Sequence, residues 1–323
     1  MKKIAISMGD PSGIGPEICL KALDKNELYR DNCIVYGEKN ILNKYFNILD
    51  IKTPLNFIDD ASDFDLGKIN IVNIESSKEI PIGEVDVNSG DLAFRFIKKA
   101  IEDAMEGKVS AVVTCPINKE SLNKAGHHYQ GHTEIFAELT GTKSYSMMLW
   151  SDKLVVDHVS THVSLAEACA RVKKDRVYEC IKLLNDALTN LEKTKDIKIA
   201  VAGLNPHAGE NSMFGFEERD EIIPAVEKAK NDGMNVEGPI PPDTVFHKAV
   251  QGEYDGVVCM YHDQGHIPLK LVDFYNGVNV TLGLPIIRTS VDHGTAFDIA
   301  GKGIANESSL IQAIDLAIRF SEE

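Results

Sequence analysis

Five short apolar runs in this chain each close on a turn of Gly, Pro, Asn, His or Asp: MGDPSGIG at 8–15, TCPINK at 114–119, STHVS at 160–164, GLNPHAGE at 203–210 and MYHDQGH at 260–266. An aliphatic run of strand length, stopped by turn-forming residues, reads as a buried strand. Between the runs the apolar spacing changes to that of a helix. Strands that alternate with helices form a mostly parallel sheet, because parallel neighbours need a long crossover and the helix supplies it. In open sheets of that kind ligands bind beyond the carboxyl ends of the strands. The five turns are therefore candidates for one shared site.

The pattern predicts strands at 4–8, 111–114, 155–159, 199–202, 256–260 and 278–282, and helices at 15–22, 90–107, 172–192 and 306–320. Pro16 stands in the first turn of its helix, where a missing N–H costs nothing. Leu92, Phe96, Ile97 and Ile101 form one apolar face of the second helix. At 323 residues the chain is long for a single core, so two domains or one large α/β unit are expected. A net charge of −15 argues against nucleic acid or an anionic membrane as a partner. An anionic small substrate would need a local cluster of Lys or Arg. The sequence has no apolar stretch of the roughly 18 residues that a membrane span needs, and its first residues run straight into a strand pattern, so a cytoplasmic protein is expected. None of the six cysteines form a C-x-x-C pair, which fits buried thiols in a reducing compartment rather than a disulfide framework or a thiolate zinc site.

Three of the ten histidines follow apolar strand patterns directly: His162, His207 and His262. If those strands are parallel neighbours, the three imidazoles converge at one sheet edge. Three neutral imidazoles with an open position suit a catalytic divalent cation such as Zn²⁺, Co²⁺, Mn²⁺ or Mg²⁺. Their intervals of 45 and 55 residues match no local metal motif. Histidines that cap turns or bond backbone remain the other reading. Asp263 follows His262, Glu210 lies three residues after His207, and Asp243 stands in PPDT. Each could orient an imidazole or move a proton, or simply cap a turn or helix.

Taken in order, longer motifs resemble one family. They are MGDPSGIGPE at 8–17, GHTE at 131–134, STH at 160–162, GLNPHAGE at 203–210, PPDT at 241–244, MYHDQG at 260–265 and GLPIIRTSVDHGTAFDIA at 283–300. The chain resembles, over essentially its whole length, the 4-hydroxythreonine-4-phosphate dehydrogenases of vitamin B6 synthesis and their close relatives acting on 4-phosphorylated D-threonate and D-erythronate. The resemblance implies an α/β fold of two α/β/α domains around a cleft, similar to the isocitrate and isopropylmalate dehydrogenase group. It places a cofactor-side domain at 1–128 with 275–323, and a metal- and dimer-forming domain at 129–274.

The same resemblance implies metal ligands at His162, His207 and His262, with one of them contributed across a homodimer interface. It implies substrate contacts at His132, Thr133, Lys270, Asn279 and Arg288. Lys270 and Arg288 are also the local cations that an acidic protein needs for an anionic substrate. No G-x-G-x-x-G opens a strand–helix unit, and DHGTAFDIAGKG at 292–303 echoes the adenine loop of the isocitrate group. The NAD (or NADP) site is therefore expected at Gly294, Thr295, Ala296 and Asp298. The implied reaction oxidises the hydroxyl of a 4-phosphorylated 3-hydroxy acid and then decarboxylates it, with Asp243, Asp263 and Lys270 as candidate proton donors or acceptors. His266, in HIPLK, looks closer to the threonate and erythronate branch. The alternative is a metal-dependent lyase or a phosphate-handling acyltransferase of similar fold without hydride transfer.

Overall fold

The computed structural model describes residues 3–322. Twelve strands are found among them: β1 (Lys3–Ser7), β2 (Cys33–Gly37), β3 (Leu55–Ile58), β4 (Ile69–Asn73), β5 (Val109–Thr114), β6 (Ser146–Ser151), β7 (Leu154–His158), β8 (Lys198–Ala202), β9 (Asn235–Ile240), β10 (Gly256–Cys259), β11 (Val278–Leu282) and β12 (Ile287–Ser290). The chain forms two compact units. One holds the residues up to Lys143 together with those from Leu284 onward, and the other is Ser144–Gly283.

The first unit carries six strands in the order β3-β4-β2-β1-β5-β12, all parallel. Ile4, Ala5 and Ile6 of β1 and Ala111, Val112 and Val113 of β5 are wholly buried. This is why these strands read as continuous rather than alternating apolar runs: the middle of a parallel sheet is covered on both faces. The helix Val87–Met105 packs on β1, β2 and β5 and buries the predicted face of Leu92, Phe96, Ile97 and Ile101. It begins at Val87 because the Asp86 carboxylate accepts the N–H groups of Asn88 and Ser89 and so caps the first turn. In the helix Gly15–Lys25, Pro16 occupies the first turn, and the Gly15 backbone lies so close to the Met8 carbonyl that no Cβ would fit.

In the second unit the strand order is β11-β6-β7-β10-β8-β9. β7, β10, β8 and β9 are parallel, whereas β6 runs antiparallel to both β7 and β11. Leu149, Val156, Ala200, Val257, Cys259 and Leu269 lie together in its core. Both units are thus α/β, as the alternation predicts, with the antiparallel β6–β7 hairpin an addition. The division falls at 143/144 and 283/284, later than the expected boundaries after 128 and 274. The helix His132–Thr140 packs on Val87–Met105 and stays with the first unit, and the hydrogen bonds of β11 to β6 keep it in the second. Among the described residues no helix is long and apolar enough to cross a membrane.

Candidate active site

Because β7, β10 and β8 are adjacent and parallel, the turns that follow them leave the same edge of the second unit's sheet. Two side chains tie these turns together. The Ser160 hydroxyl donates to the Met260 carbonyl at 3.2 Å. Buried Gln264 accepts the Met260 N–H through Oε1 at 2.6 Å and donates through Nε2 to the Gly203 carbonyl at 2.8 Å. The edge is thus a braced platform on which the turn residues are held.

His162 and His262 share a pocket on this platform, with Thr161, Ser164, Tyr261 and Asp263 among its walls. Their ring centroids are 5.7 Å apart. Two imidazoles that each offer a nitrogen to one cation, at about 2.0–2.1 Å, have centroids roughly 5–6 Å apart. The Asp263 carboxylate lies 2.7 Å from His262 Nδ1. A carboxylate only accepts, so Nδ1 carries the proton and Nε2 presents its lone pair, the arrangement by which carboxylates orient metal-binding histidines. The donor chemistry and spacing of this pair fit a divalent cation.

His207 does not join them. Among the described residues of the single chain, no three His, Cys, Asp or Glu side chains come together as a metal cage. β10 separates β7 from β8, so the His207 turn starts two strand spacings, about 10 Å, from that of His162. The His207 side chain is 67% exposed and its Nδ1 lies 3.0 Å from Glu210 Oε2. The three strands are parallel neighbours, but the expected convergence of the three imidazoles is not found among the described residues of one chain.

The His207 turn has an unusual backbone. His207, Ala208, Gly209, Glu210, Asn211 and Ser212 all have positive φ, from 42° to 81°. Only one of the six is glycine, and each of the others costs about 1–2 kcal/mol in the left-handed region. The conformation persists only where surrounding contacts impose it. Glu218, 3% exposed, makes such contacts: its Oε1 accepts the Leu204 and Asn205 N–H groups at 2.8 and 2.7 Å and its Oε2 accepts Asn205 Nδ2 at 2.9 Å.

The remaining expected residues of this unit are more dispersed. Lys270 lies in the last turn of the helix His262–Val272, with Nζ over the Phe274 ring, 5.3 Å from its centroid. Asn279 is half-buried on β11, opposite Leu149. Asp243 is exposed in the first turn of the helix Pro242–Val250, which packs against the His207 turn.

In the first unit, His132 and Thr133 open the helix His132–Thr140, and Arg288 stands on β12 beside β5. Arg288 is 2% exposed and donates to Thr114 Oγ1 at 2.9 Å. Burial pulls its guanidinium down to about 9, and Glu134 works against that pull. Burial, and then the neighbouring Arg288, hold the His132 imidazole well below the usual histidine range, so it stays neutral; its Nε2 is buried without a hydrogen-bond partner among the described residues. A buried cation beside a neutral imidazole is a receptor for an anionic group. In the 294–298 segment, Gly294 and Asp298 are exposed and Ala296 has φ 45°. Thr295 is buried, and its carbonyl accepts the Ile14 N–H at 3.0 Å. It joins this segment to the GDPSGIG turn, where a Cβ on Gly13 would lie 2.9 Å from Thr295.

Comparison with known proteins sets these features in context. The family described as Pyridoxal phosphate biosynthetic protein PdxA matches residues 29–317. The chain belongs to the PdxA family. It is 48% identical over 325 residues to the D-threonate 4-phosphate dehydrogenase of Pectobacterium atrosepticum, covering 99% of each chain. It is 47% identical over 329 residues to the enzyme of the same name from Salmonella typhimurium, again covering 99% of each. A crystal structure titled 4-hydroxythreonine-4-phosphate dehydrogenase, from Klebsiella pneumoniae, superposes with a TM-score of 0.91 at 45% identity and covers 100% of both chains. The PdxA chain described here is accordingly an oxidoreductase acting on a CH–OH group.

Two residues of this PdxA chain escape a reading by motif. His158, at the end of β7, is 1% exposed. Its Nδ1 lies 2.8 Å from the Met147 carbonyl and therefore donates, which leaves Nε2 to accept from His266 Nδ1 at 3.2 Å. The His266 ring stacks on His262 with centroids 3.6 Å apart. Burial, with His266 beside it, pushes the His158 imidazole down to about 3, so near neutral pH it is an uncharged acceptor beside His262. Its signal in the sequence is the DH that closes the strand four residues before His162. Glu218 lies eight residues beyond the GLNPHAGE motif, and nothing local marks it.

Proposed function

We propose that this chain is a divalent-metal-dependent, NAD- or NADP-dependent dehydrogenase that oxidises the secondary hydroxyl of a 4-phosphorylated 3-hydroxy acid. D-threonate 4-phosphate or D-erythronate 4-phosphate is preferred over 4-phosphooxy-threonine. The observation that carries the reading is the His162–His262 pair, set in a chain that is 48% identical end to end to a protein named D-threonate 4-phosphate dehydrogenase.

When bound, a divalent cation acidifies the substrate hydroxyl and a nicotinamide accepts the hydride. His162 and His262 would hold the cation through ring nitrogens, with Asp263 orienting the His262 ring. A histidine of a second copy completes the ligand set, since His207 of the same chain is turned toward Glu210. Nitrogen donors favour Zn²⁺ or Co²⁺ over Mg²⁺ or Mn²⁺. Arg288, His132, Thr133, Lys270 and Asn279 bind the phosphate, carboxylate and hydroxyl groups of the substrate, with Arg288 the buried charge for an anion. Gly294, Thr295, Ala296 and Asp298 receive the nicotinamide cofactor.

Oxidation at the carbon β to the carboxylate gives a β-keto acid, which loses CO₂, and a protonated side chain then delivers a proton to the carbon left behind. Lys270, Asp243 and Asp263 are the candidates for that proton. Asp263 is committed to His262 Nδ1, which favours the other two. The exposed apolar side chains Ile267, Leu271, Phe274 and Tyr275 support a homodimer.

The test is His207→Ala. The variant is expected to stay folded by circular dichroism, to lose bound metal and to lose nearly all turnover. Wild-type activity in the variant would sink the metal assignment.

A further inference from the structure

We infer that Glu218 is the positioning residue for His207: its buried carboxylate locks the left-handed turn on which that imidazole is presented. The inference rests on the reading of His207 as a metal ligand given above.

An ionised carboxylate only accepts hydrogen bonds, and Glu218 receives three, all from residues 204 and 205. These residues lead directly into Pro206–His207. The proline ring fixes its own φ, so anchoring Asn205 sets the direction in which the chain enters His207. The carboxylate also closes in on Gly209 and Gly203. A Cβ on Gly209 would lie 2.8 Å from Glu218 Oε2, whereas one on Gly203 would meet Ala208 Cα first, at 2.9 Å, and Oε1 at 3.3 Å. Gly203 and Gly209 are the first and seventh residues of GLNPHAGE, so the motif is shaped around a side chain outside it.

Other contacts reach the turn as well: Glu217 Oε2 accepts Asn205 Nδ2 at 2.8 Å, the helix Pro242–Val250 packs against it, and the Phe214 ring lies edge-on to His207. Met213, Phe214 and Phe216, which follow it, are exposed and add no core packing. The bonds inside the turn are short-range ones, Ala208 N–H to Asn205 O at 3.1 Å and Glu210 N–H to His207 O at 3.3 Å. Glu218 is itself well fixed, at the start of the π-helical turn Glu218–Ile222 that continues into the helix Ile223–Asn231. It therefore acts as a rigid stop against which the strained turn is set.

The experiment compares the full-length wild type with Glu218→Ala, Glu218→Gln, His207→Ala and the double variant Glu218→Ala/His207→Ala. Two readouts are taken: amide hydrogen exchange across 204–212 in metal-free protein, and Co²⁺ affinity from the visible absorbance of the bound ion. In Glu218→Ala, exchange across 204–212 is expected to speed up while β7 and β10 keep their protection. Co²⁺ affinity is expected to fall by about tenfold or more, the usual effect of losing a residue that orients a metal ligand. Glu218→Gln retains Oε1 as an acceptor for Leu204 and Asn205 and should restore most of both; it also carries the test if Glu218→Ala does not fold. In the His207→Ala background, whose residual Co²⁺ binding at high metal concentration rests on His162 and His262, Glu218→Ala should weaken that binding no further, since the two changes act through one group. Unchanged exchange and affinity in Glu218→Ala, or an equal loss of affinity in both backgrounds, would overturn the role of Glu218. A wild type that takes up no Co²⁺ overturns the metal reading itself, and with it the role of Glu218 toward a metal.

Discussion

At position 265 an added Cβ would lie 2.5 Å from His158 Nε2 and 2.9 Å from Cys259 Sγ. Glycine in the second turn of the helix His262–Val272 is thus the condition for a buried imidazole beneath it. Next to His158, Asp157 raises a separate energetic question. It is wholly buried, and burial pushes its carboxyl up to about 7 against the lowering pull of Ser146 and Arg176. The folded state therefore holds a proton that the unfolded chain, with a carboxyl near 4, releases earlier. Stability from this group is fully present below about pH 4 and is lost as pH rises toward 7, after which it levels off. At about 1.4 kcal/mol per pH unit the loss amounts to a few kcal/mol at most. Asp157→Asn should flatten the fall in melting temperature between pH 5 and 8. An unchanged slope in the variant would contradict this account.

Among the elements, β7, β8 and β10 were legible because each is an aliphatic run closed by a turn, and in each the observed bounds fall within a residue of those predicted. β9 was not, because NVEGPI mixes Glu, Gly and Pro, residues that weaken a strand pattern; it survives as an edge strand beside β8. The motifs placed His162 and His262 in their turns, and their shared pocket follows from the order β7-β10-β8, which no local pattern reveals. The left-handed turn at 207–212 was equally hidden, since a single glycine among six residues gives no cue and the force that bends it comes from Glu218. The helix His262–Val272 offers a further element-scale prediction. Ile267 and Leu271 are one turn apart and exposed, Leu271 at 84%, and exposed Phe274 and Tyr275 follow. Leu271→Glu should lower the mass measured by light scattering from dimer to monomer. The same mass in variant and wild type would exclude this face from the interface.

For the whole molecule, the net charge of −15 opposes any anionic substrate at a distance, so recognition depends on cations held where water is scarce. Arg288, buried beside the neutral His132, meets that condition in the first unit, and in the proposed reaction the His162–His262 pocket of the second unit would hold the cation. The PdxA match from residue 29 to 317 spans both units, so the family relationship covers both halves of this chemistry. The proposed reaction is metal-dependent hydride transfer from a 4-phosphorylated hydroxy acid. Its most direct test incubates the purified chain with Zn²⁺ or Co²⁺, NAD⁺ and either D-threonate 4-phosphate or 4-phosphooxy-threonine, and follows the absorbance of the reduced nicotinamide. Metal-dependent reduction that is faster with D-threonate 4-phosphate is expected. No reduced nicotinamide from either substrate, with metal present and the protein folded, would contradict it.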